Sequence, residues 1–103
     1  MKKYISIITT TKSKKNAEMI SEQVLRAKLS PCVQKISNVN AMFRWNGKIK
    51  KQEEIMLVIK TSRSKLKKIK ELISDLHEYD IPEIISYDFD IVSEKYKKWF
   101  DGE

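Results

Sequence analysis

Cys32-Val33-Gln34-Lys35-Ile36-Ser37-Asn38-Val39-Asn40-Ala41-Met42-Phe43-Arg44-Trp45 and Lys48-Ile49-Lys50-Lys51-Gln52-Glu53-Glu54-Ile55-Met56-Leu57-Val58-Ile59-Lys60 flank the pair Asn46-Gly47. Asn-Gly is the pair best able to take the positive φ angles of a type I′ turn, whose twist matches the strands it joins. The two runs therefore read as the arms of one β-hairpin. Each arm is about 13 residues long, where a usual strand has about 5 or 6. The other strand candidates, near the two ends of the chain, are shorter, so part of each arm must overshoot its own sheet. Ile55-Met56-Leu57-Val58-Ile59 is a continuous apolar run, as expected of a strand covered on both faces. The polar half, Lys48 to Glu54, is the part expected to leave the sheet. Such an overhang exposes a long row of unpaired backbone donors and acceptors, an edge that proteins normally cover. The economical cover is a second copy of the same chain.

The remaining elements follow from periodicity. Tyr4 to Thr10 carries apolar residues on both faces and suits a central strand. After Ser13, a candidate N-cap, Ala17, Ile20, Val24 and Ala27 recur at three- or four-residue spacing, which predicts an amphipathic helix ending before Pro31. A second helix starts from Ser62 or Ser64 and presents Leu66, Ile69, Ile73 and Leu76, with Lys65, Lys67, Lys68 and Lys70 on a solvated face. Those lysines occupy its first half, the end where the macrodipole disfavours cations. Glu83 to Ile91 alternates, with Ile85, Tyr87, Phe89 and Ile91 on one side, and predicts a half-buried strand. Ser93 can cap a short terminal helix whose Tyr96, Trp99 and Phe100 form an aromatic face, a lid on the core or a subunit contact. The order strand, helix, strand, strand, helix, strand is that of an α+β, ferredoxin-like βαββαβ sandwich, occupying residues 1–103 as a single domain. That fold hosts many unrelated functions.

Composition narrows the field. Apolar residues make up 41% of the 103 and are spread evenly, with two Gly and two Pro, which excludes a disordered or low-complexity chain. The apolar run of the first strand breaks at Thr9-Thr10-Thr11, too short for a signal segment or a membrane span, so a cytoplasmic protein without a membrane partner is expected. The single Cys32 cannot form an internal disulfide, which agrees with a reducing compartment. The net charge of +7 invites a nucleic-acid reading. However, the cations are almost all Lys, with only Arg26, Arg44 and Arg63, whereas bidentate Arg is favoured for reading phosphates and bases. An RNA-recognition module of the same strand order needs glycines and aromatics in its third strand, and Lys48 to Lys60 has neither. No nucleic-acid partner is expected. A phosphate-cradling glycine loop and a Ser-His-Asp set are both missing from a chain with one His, so no enzyme is expected either.

Several strings fall into one pattern: Thr9-Thr10, Pro31-Cys32-Val33, Phe43-Arg44-Trp45-Asn46-Gly47-Lys48, Ile59-Lys60-Thr61, His77-Glu78-Tyr79-Asp80-Ile81-Pro82-Glu83-Ile84 and Tyr96-Lys97-Lys98-Trp99. In this order and spacing they resemble the CutA family of divalent-cation-tolerance proteins over nearly the whole chain. The resemblance implies a PII-like homotrimer in which long hairpins pair across subunit borders. It also implies binding of copper or another divalent cation and a part in the response to metal ions, with no catalytic activity and no organic cofactor. The alternative it leaves open is a PII-like trimer that binds or signals through a small molecule, with no metal role. Members credited with copper ligands carry Cys where this chain has Thr9, and a His pair where it has Leu76-His77.

Candidate metal ligands are therefore His77, Cys32 and Glu83. His77 ends the second helix, where an imidazole can serve the C-terminal carbonyls, or it can join Glu78, Asp80 and Glu83 in a mixed nitrogen and oxygen set. Cys32 is a soft ligand or a small buried hydrophobe. Glu83, placed by Pro82, is a ligand or the partner of Arg44 or a Lys. Candidate interface residues are Phe43, Arg44, Trp45, Tyr79 and Trp99. A Trp beside a hairpin turn is wasted on solvent unless a neighbouring subunit covers it, and Arg44 suits a carboxylate of the facing chain.

Overall fold

The computed structural model describes residues 2–103. Four strands, β1 (Tyr4–Thr11), β2 (Cys32–Trp45), β3 (Lys48–Ser62) and β4 (Ile85–Phe89), form one sheet in the order β2-β3-β1-β4, every neighbouring pair antiparallel. Two helices, α1 (Lys14–Arg26) and α2 (Leu66–Leu76), connect strands that run parallel with a third strand between them. This is the ferredoxin-like βαββαβ arrangement expected from the element order, closed by α3 (Glu94–Gly102).

Opposed residues of antiparallel strands point to the same side, so the register sorts the sheet into two faces. Ile5, Ile7, Thr9 and Thr11 of β1 lie against Thr61, Ile59, Leu57 and Ile55 of β3, all buried. With Ala17, Ile20 and Val24 of α1 and Ile69 and Ile73 of α2 they make the core. The opposite, outer face carries Tyr4 and Ile8 of β1, Met56 and Val58 of β3, Ile36 of β2 and Ile85, Tyr87 and Phe89 of β4. Here α3 covers one corner only: Phe100 is buried with its ring centroid 5.5 Å from Tyr4 and 6.2 Å from Phe89.

The hairpin turn has Asn46 at φ 52° and Gly47 at φ 77°, the two positive angles that the Asn-Gly pair predicts. A Cβ on Gly47 would meet open space, so the backbone angle alone asks for glycine there. β3 pairs with β1 only from Ile55 onward, and Lys48 to Glu54 has β2 as its one neighbour. The expected overhang is therefore present, and it draws the chain out to 46 Å against 24 and 23 Å in the other directions. At the point of departure β2 carries a bulge. Ile36 pairs with Met56 and Val39 with Glu54, so Ser37 and Asn38 together oppose Ile55. Asn38 takes φ 61°, a left-handed angle that Asn tolerates better than most side chains. Bulges bend a strand and increase its twist, which steers the overhang away from the sheet body.

Helix α1 starts as predicted, with the Ser13 side chain accepting from the N–H of Asn16 at 3.0 Å. It stops before Pro31, where Lys28 turns left-handed (φ 56°) and Leu29 N–H reaches back to the Val24 carbonyl at 3.1 Å. The start of α2 differs from expectation. Ser62 still belongs to β3, opposite Tyr4, and a single 3-10 turn over Arg63–Lys65 precedes a helix that has Lys65 at its cap and no side-chain cap. One lysine of the basic run gains a reason: Lys65 Nζ donates to the Lys28 carbonyl just past the end of α1, at 3.0 Å. β4 is shorter than its alternating pattern, and its apolar side lies on the outer face. Phe89 is half-buried, whereas Ile85 and Tyr87 are exposed within the chain.

Candidate functional site

The loop from His77 to Ile84 carries three of the candidate residues, and its start is tied down at many points. His77 caps α2, its N–H donating to the Ile73 carbonyl at 2.8 Å. Its ring turns toward β1 rather than toward the last carbonyls of its own helix. Nδ1 accepts the Tyr79 N–H at 3.0 Å, which assigns the proton to Nε2, and Nε2 donates to the Thr10 carbonyl at 2.8 Å. Both ring nitrogens are thus in use. The open carbonyl of Leu76 is served by the Asn16 side-chain amide instead, at 3.0 Å.

Glu78, next in sequence, reaches the start of α1, where its Oε2 accepts the N–H groups of Lys12 and Ser13 at 2.9 and 3.0 Å. Burial by itself would raise its pKa, but the donors from Ser13 and Lys12, with His77 nearby, hold the carboxyl below the ordinary Glu value. Tyr79 closes the set. Its hydroxyl donates to Glu54 Oε2 at 2.8 Å and receives the Gln52 side-chain amide. Burial, followed by the Glu54 carboxylate, pushes the phenol pKa well up. One loop therefore joins the N-terminus of α1, the edge of β1 and the root of the hairpin.

The three candidate ligands are not gathered in one chain. Cys32 lies at the start of β2 opposite Lys60, in the row that includes Ser6, whereas the His77 ring meets β1 at Thr10. That offset is four residues along the strands, roughly 13 Å at the usual rise. Glu83 is exposed before β4, with no hydrogen-bond or ion-pair partner among the described residues. No group of three or more His, Cys, Asp and Glu side chains among the described residues could hold a metal ion. The residues of a single chain do not fit a metal on their own. Cys32 is a half-buried free thiol. Thr9 is fully buried, and its hydroxyl has no partner.

The hairpin residues divide between the two sides of the ribbon. Phe43 and Trp45, 43% exposed, point to one side; Arg44 shares the other with Met42 and Ile49, which are 66% and 70% exposed. Arg44 has no carboxylate within 4.0 Å among the described residues. Sequence reasoning picked out Phe43, Arg44 and Trp45 but passed over Met42 and Ile49, although an Ile alternating with lysines was the available signal. Tyr79 uses its hydroxyl inside its own chain. Trp99 is 45% exposed and packs against Tyr96, ring centroids 5.5 Å apart.

Comparison with known proteins supplies the family. The family description "CutA1 divalent ion tolerance protein" matches residues 5–103. The chain belongs to the CutA1 family. It is 35% identical over 99 residues to the divalent-cation tolerance protein CutA of Pyrococcus horikoshii, covering 96% of each chain. Against the chloroplastic protein CutA of Arabidopsis thaliana it is 30% identical over 95 residues, spanning 92% of itself and 52% of that protein. The crystal structure of CutA1 from Oryza sativa superposes with a TM-score of 0.92 at 28% identity, covering 98% of this chain and 93% of that one. No helix of this CutA1 chain, among the described residues, is long and apolar enough to cross a membrane.

Proposed function

We propose that this CutA1 chain acts in the cytoplasm as a non-catalytic homotrimer that binds a divalent cation, copper or another, in the response to metal ions. The observation that carries the reading is the overhang. Lys48 to Glu54 has a single neighbouring strand, and Met42, Phe43, Trp45 and Ile49 stand exposed on both sides of the ribbon. A two-stranded ribbon is marginal in water without something to pack on, and an unpaired edge of this length needs a cover. Sister chains supply both. The outer face, with Ile36, Ile85 and Tyr87 exposed, and the Tyr96–Trp99 pair offer further surface to the same partners. The number three and the metal role rest on the family.

Because one chain does not fit a metal, the cation belongs where chains meet, with His77, Cys32 or Glu83 joined by donors of a second copy. For His77 this means giving up the Tyr79 N–H or the Thr10 carbonyl. Light scattering tests the assembly: a mass near three times 12.2 kDa is expected at micromolar concentration, and a well-folded monomer would sink the reading. Copper calorimetry on the wild type, His77→Ala, Cys32→Ser and Glu83→Gln tests the ligands. Binding that survives a given change removes that residue from the set, and no binding by the wild type ends the metal reading.

A further inference from the structure

Past the bulge the hairpin is a lever. Lys48 to Glu54 reaches about 23 Å at the usual rise of a strand, so a swing of about 10° at the root displaces the tip by about 4 Å. Pre-organised protein interfaces settle with backbone shifts of about 1 Å or less. The angle of the ribbon therefore decides whether its exposed Phe43 and Trp45 meet a partner surface. Strand pairing holds that angle loosely, because toward the tip from Ile55 β3 has no pairing with β1, and β2 sets two residues, Ser37 and Asn38, against one at this point.

The side chains of the overhang form no ion pair among the described residues, and their hydrogen bonds to the rest of the chain all go to one group, the Tyr79 hydroxyl. That hydroxyl donates to Glu54 Oε2 at 2.8 Å and accepts from the Gln52 amide. Glu54 and Gln52 stand one and three positions beyond Ile55 toward the tip, on the same side of the ribbon. The other end of Tyr79 is anchored in the body of the domain. Its N–H donates to His77 Nδ1 at 3.0 Å, the two ring centroids lie 4.9 Å apart, and His77 Nε2 donates to the Thr10 carbonyl of β1. A hydrogen bond to a carboxylate is roughly twice as strong as one between neutral groups, and Glu54 is 8% exposed, so water competes poorly for it. We propose that Tyr79 is a positioning residue for assembly, its hydroxyl holding the hairpin at the angle at which a sister chain seats on it. The inference rests on the homotrimer reading and is independent of the metal.

The test is subunit exchange between unlabelled and isotope-labelled full-length protein, followed by native mass spectrometry, together with amide hydrogen exchange. Tyr79→Phe removes the hydroxyl and keeps the ring. It should speed subunit exchange at least about tenfold and raise hydrogen exchange in residues 39–54, while β1, α1 and α2 keep their protection. A hydrogen bond that only stabilised the chain would loosen those core elements as well. Glu54→Gln, whose amide oxygen still accepts the hydroxyl, should exchange subunits within about threefold of the wild type, and Glu54→Ala, which ends the contact, should match Tyr79→Phe. The proposal is overturned if Tyr79→Phe exchanges subunits at the wild-type rate, if the variant loses protection throughout or fails to fold, or if Glu54→Gln behaves as Glu54→Ala does. A monomeric wild type ends the homotrimer reading and this inference with it, whereas an assembled wild type that Tyr79→Phe leaves unchanged ends this inference alone.

Discussion

The two halves of β3 obey different rules. From Ile55 to Ser62 the strand lies between β1 and β2, and its Ile55, Leu57 and Ile59 are buried under α1 and α2. From Lys48 to Glu54 the same strand has one neighbour, no helix above it and, except at Glu54 and Gln52, exposed side chains. The first half is finished by its own chain. The second is geometrically regular and energetically incomplete, which shows that backbone pairing alone does not decide whether a segment is a finished part of a fold.

Removing a side chain from the finished half should cost most. Leu57→Ala is expected to destabilise the chain by about 2–5 kcal/mol, the usual cost of emptying a core leucine site, read by denaturant unfolding; Leu57 is fully buried. Trp45→Ala, at the other end of the hairpin, should leave circular dichroism unchanged and instead weaken assembly by about 2 kcal/mol or more, the scale of an aromatic interface anchor. Light scattering over a dilution series reads it. If Trp45→Ala costs chain stability as Leu57→Ala does, the two halves are not distinct in the way described.

Between these regions sits the turn, where Gly47→Ala keeps the pairing but forces a Cβ into φ 77°. About 1–2 kcal/mol is expected, the left-handed penalty for an L-residue, with no change in the mass of the assembly. The smallest effect should come from Glu78. Its carboxyl titrates below the ordinary value of 4.5 in the folded chain, so its contribution to stability is complete above that pH and is lost as the pH falls through the lower folded-state value. Glu78→Gln should flatten this part of the stability–pH profile and lower the profile above roughly pH 6 by a constant amount, without changing its slope there.

What the sequence disclosed follows the same division. The Asn-Gly turn, the overhang and the apolar faces of α1 and α2 were legible because each is written in local spacing. The facing of β4 was not: Ile85, Tyr87 and Phe89 alternate as a core-facing strand would, and only the register with β1 places them on the outer face. The same limit hid the root of the hairpin. Glu54 and Tyr79 are 25 residues apart, as are Arg63 and Asp88, which form an ion pair, and no periodicity announces such meetings. His77 shows the limit most clearly. Its place at the helix end was correct, but the partners of its two nitrogens, Thr10 and Tyr79, came from opposite directions along the chain.

The extra residue at Ser37–Asn38 changes the count along β2 as well as its direction. Alternation along β2 would put positions 36 and 39 on opposite sides, yet both share a side because the count shifts by one between them. A chain lacking either Ser37 or Asn38 would set one residue opposite Ile55 and pair without a break, so Phe43 and Trp45 would keep their side, fixed by the unbroken alternation of β3, while the ribbon lost its bend. A single peptide unit thus aims the tip, and β3 decides which side chains it shows there.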